Sequence, residues 1–198
     1  SYLGKDYANL ITVDIICHGV PSFEFFKGYI QYLEQKLNGK IIDFLFRDKS
    51  QGWGHKGRIV YEQKGLVKEK RISAARSYYY QYFLNGDIFR ESCYHCKYAC
   101  CFREGDFTIG DFWGVHKYHP EVDINKGVSL LLINTKKGQG IKHKLTEHLD
   151  LVESRLNYAL EENFQLVRPS SLSAKRKPIL ALWREKGSSA VALEYKKS

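Results

Sequence analysis

The sequence predicts an α/β or α+β domain in which helices flank a mixed β-sheet. Strand-like and helical segments alternate at both ends of the chain, while the middle holds several strand-like segments joined by glycine-bearing turns. Hydrophobic residues make up 43% and charged residues 27% of the 198 residues, which is the balance of a globular protein. We expect a single domain over residues 1–173, followed by a basic, partly helical tail over residues 174–198.

The first predicted elements are a strand and a helix. The segment LITVDIICHG predicts a buried strand over Leu10–Ile16, which places Cys17 at its C-terminal end. Apolar residues then recur at helical spacing over Phe25–Leu37. Ser22 is the expected N-cap, because its hydroxyl can accept a backbone N–H of the first turn, and Gly39 is expected to end the helix.

The remaining elements follow from the same patterns of apolar residues and turn residues. Strands are predicted for KIIDFLFRD, GRIVYEQ, VKEKRIS, GDFTIG, GVSLLLINT and LVESRL. Helices are predicted for SYYYQYFLNG, GQGIKHKLTEHL and NYALEENF.

Four of the five cysteines lie in one stretch, ESCYHCKYACC, which indicates metal binding in a reducing compartment. Cys93 and Cys96 have the two-residue spacing that both zinc and iron–sulfur sites use. Cys100 is a further candidate ligand. Cys101 directly follows it, and the side chains of two adjacent residues do not easily converge on one metal.

Cys17 is a separate candidate ligand, at the point where a predicted strand ends and a helix begins. Ligands of open α/β sheets bind at this carboxyl edge, and the N-terminus of the next helix favours anionic groups. The alternative is that Cys17 is a small buried apolar residue without a ligand.

A loop rich in glycine follows the predicted strand GDFTIG. Gly110 and Gly114 allow a close approach of the backbone to a flat or phosphorylated group, and Asp111 and Trp113 offer a polar contact and a stacking surface. These four residues are candidates for cofactor binding. A tight turn with an aromatic core anchor is equally consistent with the pattern.

Charge and hydropathy bear on the partners and the compartment. The net charge of +9 permits anionic partners such as nucleic acid, phosphorylated cofactors or acidic proteins. No apolar run approaches the roughly 20 residues that a membrane-spanning helix needs. No signal peptide precedes the first strand-like segment, so we expect a cytoplasmic protein. The chain opens without an initiator Met, and we expect that an N-terminal part of the working protein precedes it.

Three stretches in the order VDIICHGVPS, RESCYHCKYA and GDFTIGDFWG resemble one known family. This is the C-terminal region of the beta subunit of coenzyme factor-420 (deazaflavin) hydrogenases and dehydrogenases, and the likeness extends over about Asp14 to Ser173. The resemblance implies an oxidoreductase in which FAD passes electrons between a four-iron cluster and a soluble redox partner. That partner is the deazaflavin coenzyme in the archaeal members.

The resemblance also implies site residues and a missing part. Cys17, Cys93 and Cys96 match the cluster positions of the family, and Cys100 is the candidate for the fourth ligand within this chain. The family has another cysteine upstream, in an N-terminal half with a ferredoxin-like domain. We therefore expect the isolated chain to be inactive and to hold little or no flavin, while its binding of a cluster stays open because the fourth ligand is either upstream or one of Cys100 and Cys101. We assign no catalytic side chain.

Two other interpretations remain open at this stage. In the first, Cys93, Cys96, Cys100 and His95 bind a structural zinc ion in a basic module that binds nucleic acid or protein. Against it, the spacing matches no recognised zinc finger and Cys17 has no role, so a nucleic-acid partner is not expected. In the second, the chain is a truncated domain that binds nothing.

Overall fold

The computed structural model describes residues 4–5 and 7–197, and for residue 51 the backbone alone. The described strands are β1 Val13–Ile15, β2 Lys40–Leu45, β3 Lys56–Gln63, β4 Leu66–Ser73, β5 Phe107–Asp111 and β6 Ser129–Ile133. The described α-helices are α1 Phe23–Leu37, α2 Tyr78–Leu84, α3 Glu91–Tyr94, α4 Lys136–Gly140, α5 Lys142–Thr146, α6 Leu156–Glu162 and α7 Arg176–Tyr195. Short 3₁₀-helices lie at Lys49–Gln51, Ala74–Arg76, Val115–Lys117 and Phe164–Leu166.

The predicted fold class is confirmed, because helices flank two small sheets and one of these sheets is mixed. The chain forms two compact units. The first unit comprises Ser1–Cys17 and Cys96–Pro169, and the second comprises His18–His95 and Ser170–Ser198. The boundary expected at residue 173 stays a prediction. No helix in the described part of the chain is both long and apolar enough to cross a membrane.

The first unit contains the mixed sheet, in which β5 lies between β1 and β6. β1 pairs with β5 in parallel, and β6 pairs with β5 in the antiparallel direction. The prediction of a long buried strand over Leu10–Ile16 is wrong in extent and burial. β1 is a short edge strand, and Val13 and Ile15 are 54% and 59% exposed, as is Ile109, the partner of Ile15 on the central strand β5, at 41%.

A buried carboxylate joins the starts of β1 and β5 in the first unit. Asp106 is 4% exposed and accepts hydrogen bonds from the backbone N–H and the hydroxyl of Thr12, at 2.9 and 2.8 Å, and from the hydroxyl of Thr135 at 2.6 Å. The ammonium of Lys137 lies 3.5 Å away. The Thr135 hydroxyl, the Thr12 donors and the Lys137 charge lower the pKa of Asp106 to about 2.

An ion pair fixes the segment that leads from the cysteine stretch into β5. Arg103 donates to Asp14 on β1 at 2.6 and 3.0 Å, and to the carbonyl of Tyr98 at 2.6 Å. The side chain of Arg103 is only 6% exposed, so these bonds satisfy a buried guanidinium. Burial raises the pKa of Asp14, but the hydrogen bonds from Arg103, Thr108 and Gly105 have the larger combined effect. The pKa of Asp14 is therefore below its usual value.

The second unit packs α1, α2 and α7 with the antiparallel sheet β2–β3–β4. The predicted N-cap is confirmed, since Ser22 accepts the N–H of Phe25 at 3.0 Å. The predicted stop is displaced by one residue. Asn38, with φ 48°, takes the left-handed cap position. Gly39 instead lies so close to β3 that a Cβ there would be 2.5 Å from the carbonyl of Glu62.

Aromatic side chains form the core of the second unit. The tyrosines of α2 at positions 78, 79, 80 and 82 are all buried, and they pack with Phe25 and Tyr29 of α1. Tyr29 shares a 2.8 Å hydrogen bond with Ser77, and burial raises its pKa to about 12. These tyrosines are therefore packing residues that stay protonated at neutral pH.

Three segments near the C-terminus differ from their simple patterns. The stretch LVESRL pairs with no strand among the described residues and its last residue, Leu156, begins α6, so its prediction as a strand is wrong. GQGIKHKLTEHL forms two short helices, α4 and α5, where one was expected. The weakly patterned tail forms α7, which is interrupted at Gly187 with φ 74°, and its Ile179 and Val191 are buried in the core of the second unit.

Candidate cluster-binding site

Cys93 lies on the four-residue helix α3 of the second unit and is half-buried. Its sulfur accepts the backbone N–H of Val20 at 3.4 Å, and its thiol contacts the Val20 carbonyl as a donor at 3.8 Å. Two backbone contacts hold these segments together: Arg90 N donates to the Val20 carbonyl at 2.8 Å, and Pro21 forms a β-bridge with Phe89. Backbone N–H groups that donate to cysteine sulfurs are a usual feature of iron–sulfur sites, so this contact is compatible with a cysteine that ligates a cluster.

Cys17 ends the first segment of the first unit and is exposed. The residue before it continues the contact with β5, since Ile16 N donates to the Ile109 carbonyl at 2.8 Å. Cys17 is therefore not the small buried apolar residue of the alternative interpretation. The next residue, His18, belongs to the second unit, where its Nε2 lies 3.1 Å from the Leu84 carbonyl.

The other three cysteines belong to the first unit. Cys96 is half-buried, and its carbonyl accepts the N–H of Ala99 at 3.2 Å. The thiol of Cys100 donates to the Phe102 carbonyl at 3.2 Å, and that of Cys101 donates to the Leu166 carbonyl at 3.0 Å. A metal-bound thiolate has no proton to donate, so each of these sulfurs would lose its carbonyl partner on binding a metal, and the same holds for the contact of Cys93 with the Val20 carbonyl. Cys100 would have to give up its carbonyl partner to become the fourth ligand.

The described residues do not form an assembled metal site of either kind, iron–sulfur or zinc. All five cysteines are free thiols. His95, the histidine of the zinc interpretation, has a side chain that is 78% exposed and 4.0 Å from Glu91. Within the described residues, no three Cys, His, Asp or Glu side chains come close enough together to hold a metal ion. The assignment of the cysteine ligands therefore stays a prediction.

Packing within the first unit explains the two glycines proposed for cofactor binding. A Cβ at Gly110 would lie 2.8 Å from the side chain of Ile16, and one at Gly114 would lie 2.6 Å from Glu162. Gly114 also has φ 77°, which disfavours other residues. Protein atoms thus fill the space beside each glycine, and a role for Gly110 and Gly114 in binding a cofactor stays a prediction.

The rest of this loop contains an aromatic core anchor. Phe112 is 4% exposed, and its N–H donates to the Val128 carbonyl at 2.9 Å. Asp111 is the last residue of β5, opposite Ser129, and both Asp111 and Trp113 are half-buried. A role for Asp111 and Trp113 in binding a cofactor stays a prediction.

Each unit also has a cavity that the sequence patterns did not indicate. In the first unit, β6 and residues 150–156 line a largely apolar cleft of about 510 Å³. The apolar residues of LVESRL line this cleft, but their pattern was interpreted as that of a strand. In the second unit, α1 and α7 line a polar groove of about 670 Å³ at the interruption of α7. Gly187, where α7 is interrupted, lines that groove, and a glycine within a helical pattern is the sequence feature that could have indicated it.

Comparison with known protein families identifies the relationship. The family described as the C terminus of the coenzyme F420 hydrogenase/dehydrogenase beta subunit matches residues 4–157, which is more than half of the chain. The chain belongs to this family. It is therefore related to the C-terminal region of a redox-enzyme subunit, and the resemblance seen in the three sequence stretches is confirmed. The chain has no match among curated proteins or among solved structures.

The matched region includes all the candidate site residues. Cys17, the cysteine stretch from Cys93 to Cys101 and the Gly110–Gly114 loop all lie within residues 4–157. Helix α7 and the segment that leads into it lie beyond the match.

Proposed function

We propose that this chain is the part of a beta subunit that supplies thiolate ligands to an electron-transferring four-iron cluster. Cys17, Cys93 and Cys96 are the proposed ligands, and Cys100 is the candidate for the fourth position. In the full-length subunit the cluster would exchange electrons with FAD and a soluble redox carrier. The observation that carries the proposal is the half-buried Cys93 sulfur, which accepts a backbone N–H from the segment just after Cys17.

Residues of this chain would bind the cluster and set its reduction potential. The Val20 N–H stabilises negative charge on the Cys93 sulfur, and such hydrogen bonds raise the reduction potential of a cluster. When bound, a four-iron cluster supplies one-electron transfer. The net charge of +9 favours association with an anionic carrier, and this attraction weakens as ionic strength rises.

FAD is proposed for the full-length subunit and not for this chain alone. Gly110, Asp111, Trp113 and Gly114 are this chain's proposed contribution to the flavin site of the full-length subunit, and the two glycines also pack against Ile16 and Glu162. The resemblance implies that an N-terminal half with a ferredoxin-like domain completes the flavin site. A cytoplasmic location is part of the same proposal, because free thiol ligands persist in a reducing compartment.

Metal analysis of anaerobically purified protein tests the proposal. We expect the full-length subunit to be brown, to contain iron and acid-labile sulfide, and to release FAD on denaturation. The 198-residue chain alone should carry little or no flavin, and stoichiometric FAD in it would contradict that part. A colourless full-length subunit with one zinc ion per chain would overturn the cluster and favour the zinc interpretation.

A further inference from the structure

A short segment beyond the family match contacts the parts of the second unit that lead to two of the proposed ligands. This segment, residues 170–176, precedes most of α7 and is called the C-terminal brace below. Ser170 donates to the carbonyl of His18 at 3.1 Å, and His18 directly follows Cys17. Ser173 donates to the carboxylate of Asp87, which is 1% exposed. The brace therefore contacts the backbone beside Cys17 and the loop before α3.

Arg176 makes the most extensive contacts of the brace. Its Nε and Nη2 donate to the carbonyl of Phe89 at 3.3 and 3.1 Å. Its Nη1 lies 3.2 Å from the carboxylate of Glu91, and the guanidinium lies 5.3 Å from the centre of the Tyr94 ring. Phe89 is 1% exposed and the Arg176 side chain is 16% exposed, so water can reach these groups only partly. The Arg176 side chain thus contacts the first and last residues of α3, and also Phe89, which lies just before the N-cap of α3.

Helix α3 depends on such contacts. It has only four residues, and its N-cap Arg90 provides no side-chain hydrogen bond. A helix this short has no stability of its own, because the cost of nucleation exceeds the gain from its few hydrogen bonds. Tertiary contacts must therefore fix the position of Cys93, and within the second unit Arg176 contacts residues on both sides of it.

We propose that Arg176 is a positioning residue for the Cys93 thiol. Its paired donation to Phe89 and its ion pair with Glu91 hold α3 where the Cys93 sulfur meets the Val20 N–H. The relevance of this role to a cluster rests on the proposed function, but the position of the thiol can be measured without any metal. The role is specific to this side chain, because removing it leaves the carbonyl of the buried Phe89 without its paired donors, whereas water can replace Arg176 at the Glu91 carboxylate, whose side chain is 65% exposed.

Alkylation of the metal-free, chelator-treated 198-residue chain by iodoacetamide tests the proposal. The rate at each cysteine is followed by mass spectrometry, and Cys100 of the first unit serves as the internal reference. In Arg176→Ala, Cys93 is expected to react about tenfold faster than in the wild type, because local opening of α3 exposes its thiol. Cys100 should change by less than about twofold. Arg184→Ala, an exposed arginine of the same helix, is the matched control and should leave both rates unchanged.

A second variant keeps the test decisive if Arg176→Ala fails to fold, which circular dichroism and a faster Cys100 reaction would reveal. Arg176→Lys retains the charge beside Glu91 and loses the paired donation, so an increase of about threefold is expected at Cys93. An unchanged Cys93 rate in the folded Ala variant, or in the Lys variant where Ala does not fold, would overturn the proposal. The iron content of the anaerobically purified full-length subunit is measured in parallel: a full-length subunit without iron counts against the proposed function, while the alkylation rates still decide the role of Arg176.

Discussion

Cys17→Ser in the full-length subunit is expected to lose most of its cluster iron. Cys17 is exposed at the end of the segment that follows β1, and within the matched family region it is the ligand candidate that lies outside the cysteine stretch. A serine hydroxyl is a much poorer ligand for iron–sulfur clusters than a thiolate, because it is harder and less acidic. Iron and sulfide per chain, measured after anaerobic purification, check this prediction.

Cys101→Ser is the matched control for that experiment. The Cys101 thiol donates to the Leu166 carbonyl at 3.0 Å, and a serine hydroxyl can keep this hydrogen bond. We expect its iron content to equal that of the wild type. Equal iron in Cys17→Ser would show that Cys17 is an ordinary free cysteine and not a cluster ligand.

Asp106→Asn is expected to lower the free energy of unfolding by about 2 kcal/mol at pH 7, because a buried carboxylate loses its charge and one acceptor oxygen. Thr12 and Thr135 both donate to Asp106, and an amide can accept from only one of these groups. Denaturant unfolding measures the change. Asp150→Asn, at an exposed position of the same unit, is the control and should change stability by less than about 0.5 kcal/mol.

The same variant makes a prediction about acid stability. The folded-state pKa of Asp106 is about 2, below the value of about 4 expected in the unfolded chain. Because the pKa is lower in the folded state, the carboxylate makes its full contribution to stability when the pH is above the pKa of the unfolded chain. This contribution is lost as pH falls from about 4 to about 2. The wild type should therefore lose its advantage over Asp106→Asn across this range. A difference that stays constant from about pH 5 to about pH 2 would contradict the assigned role of the carboxylate.

Local sequence signals were sufficient for the elements of the second unit. Ser22 and the apolar residues of α1 are close in sequence, and the strands β2, β3 and β4 are separated by turns that glycine permits. The two left-handed residues between β3 and β4, Lys64 and Gly65, form the turn of this hairpin. Short-range preferences of this kind are visible in a sequence because each depends on a few neighbouring residues.

Features that depend on distant partners could not be predicted in this way. An apolar run such as LITVDII does not reveal whether its strand lies at the centre or the edge of a sheet, and β1 proved to be an exposed edge strand. LVESRL has the pattern of a strand, but in the structure it lines a cleft without pairing to any described strand. A strand needs a partner, and periodicity carries no information about which partner is available.

The candidate site shows the same division. The spacing of Cys93 and Cys96 indicated a metal site, and the order of three stretches indicated the family. The donor to the Cys93 sulfur is the backbone of Val20, and the side chain that contacts α3 from the C-terminal brace is Arg176. Backbone N–H groups have no sequence signature, and an arginine far along the chain becomes significant only when its contacts are known.

The most direct test of the cluster is electron paramagnetic resonance of the anaerobic full-length subunit after reduction with dithionite. We expect the full-length subunit to give the signal of a reduced four-iron cluster, with one cluster per chain. We also expect Cys93→Ser to lose most of this signal and Cys101→Ser to retain it. A wild-type protein that gives no such signal and contains zinc in place of iron would contradict the proposal that these cysteines hold an electron-transferring cluster.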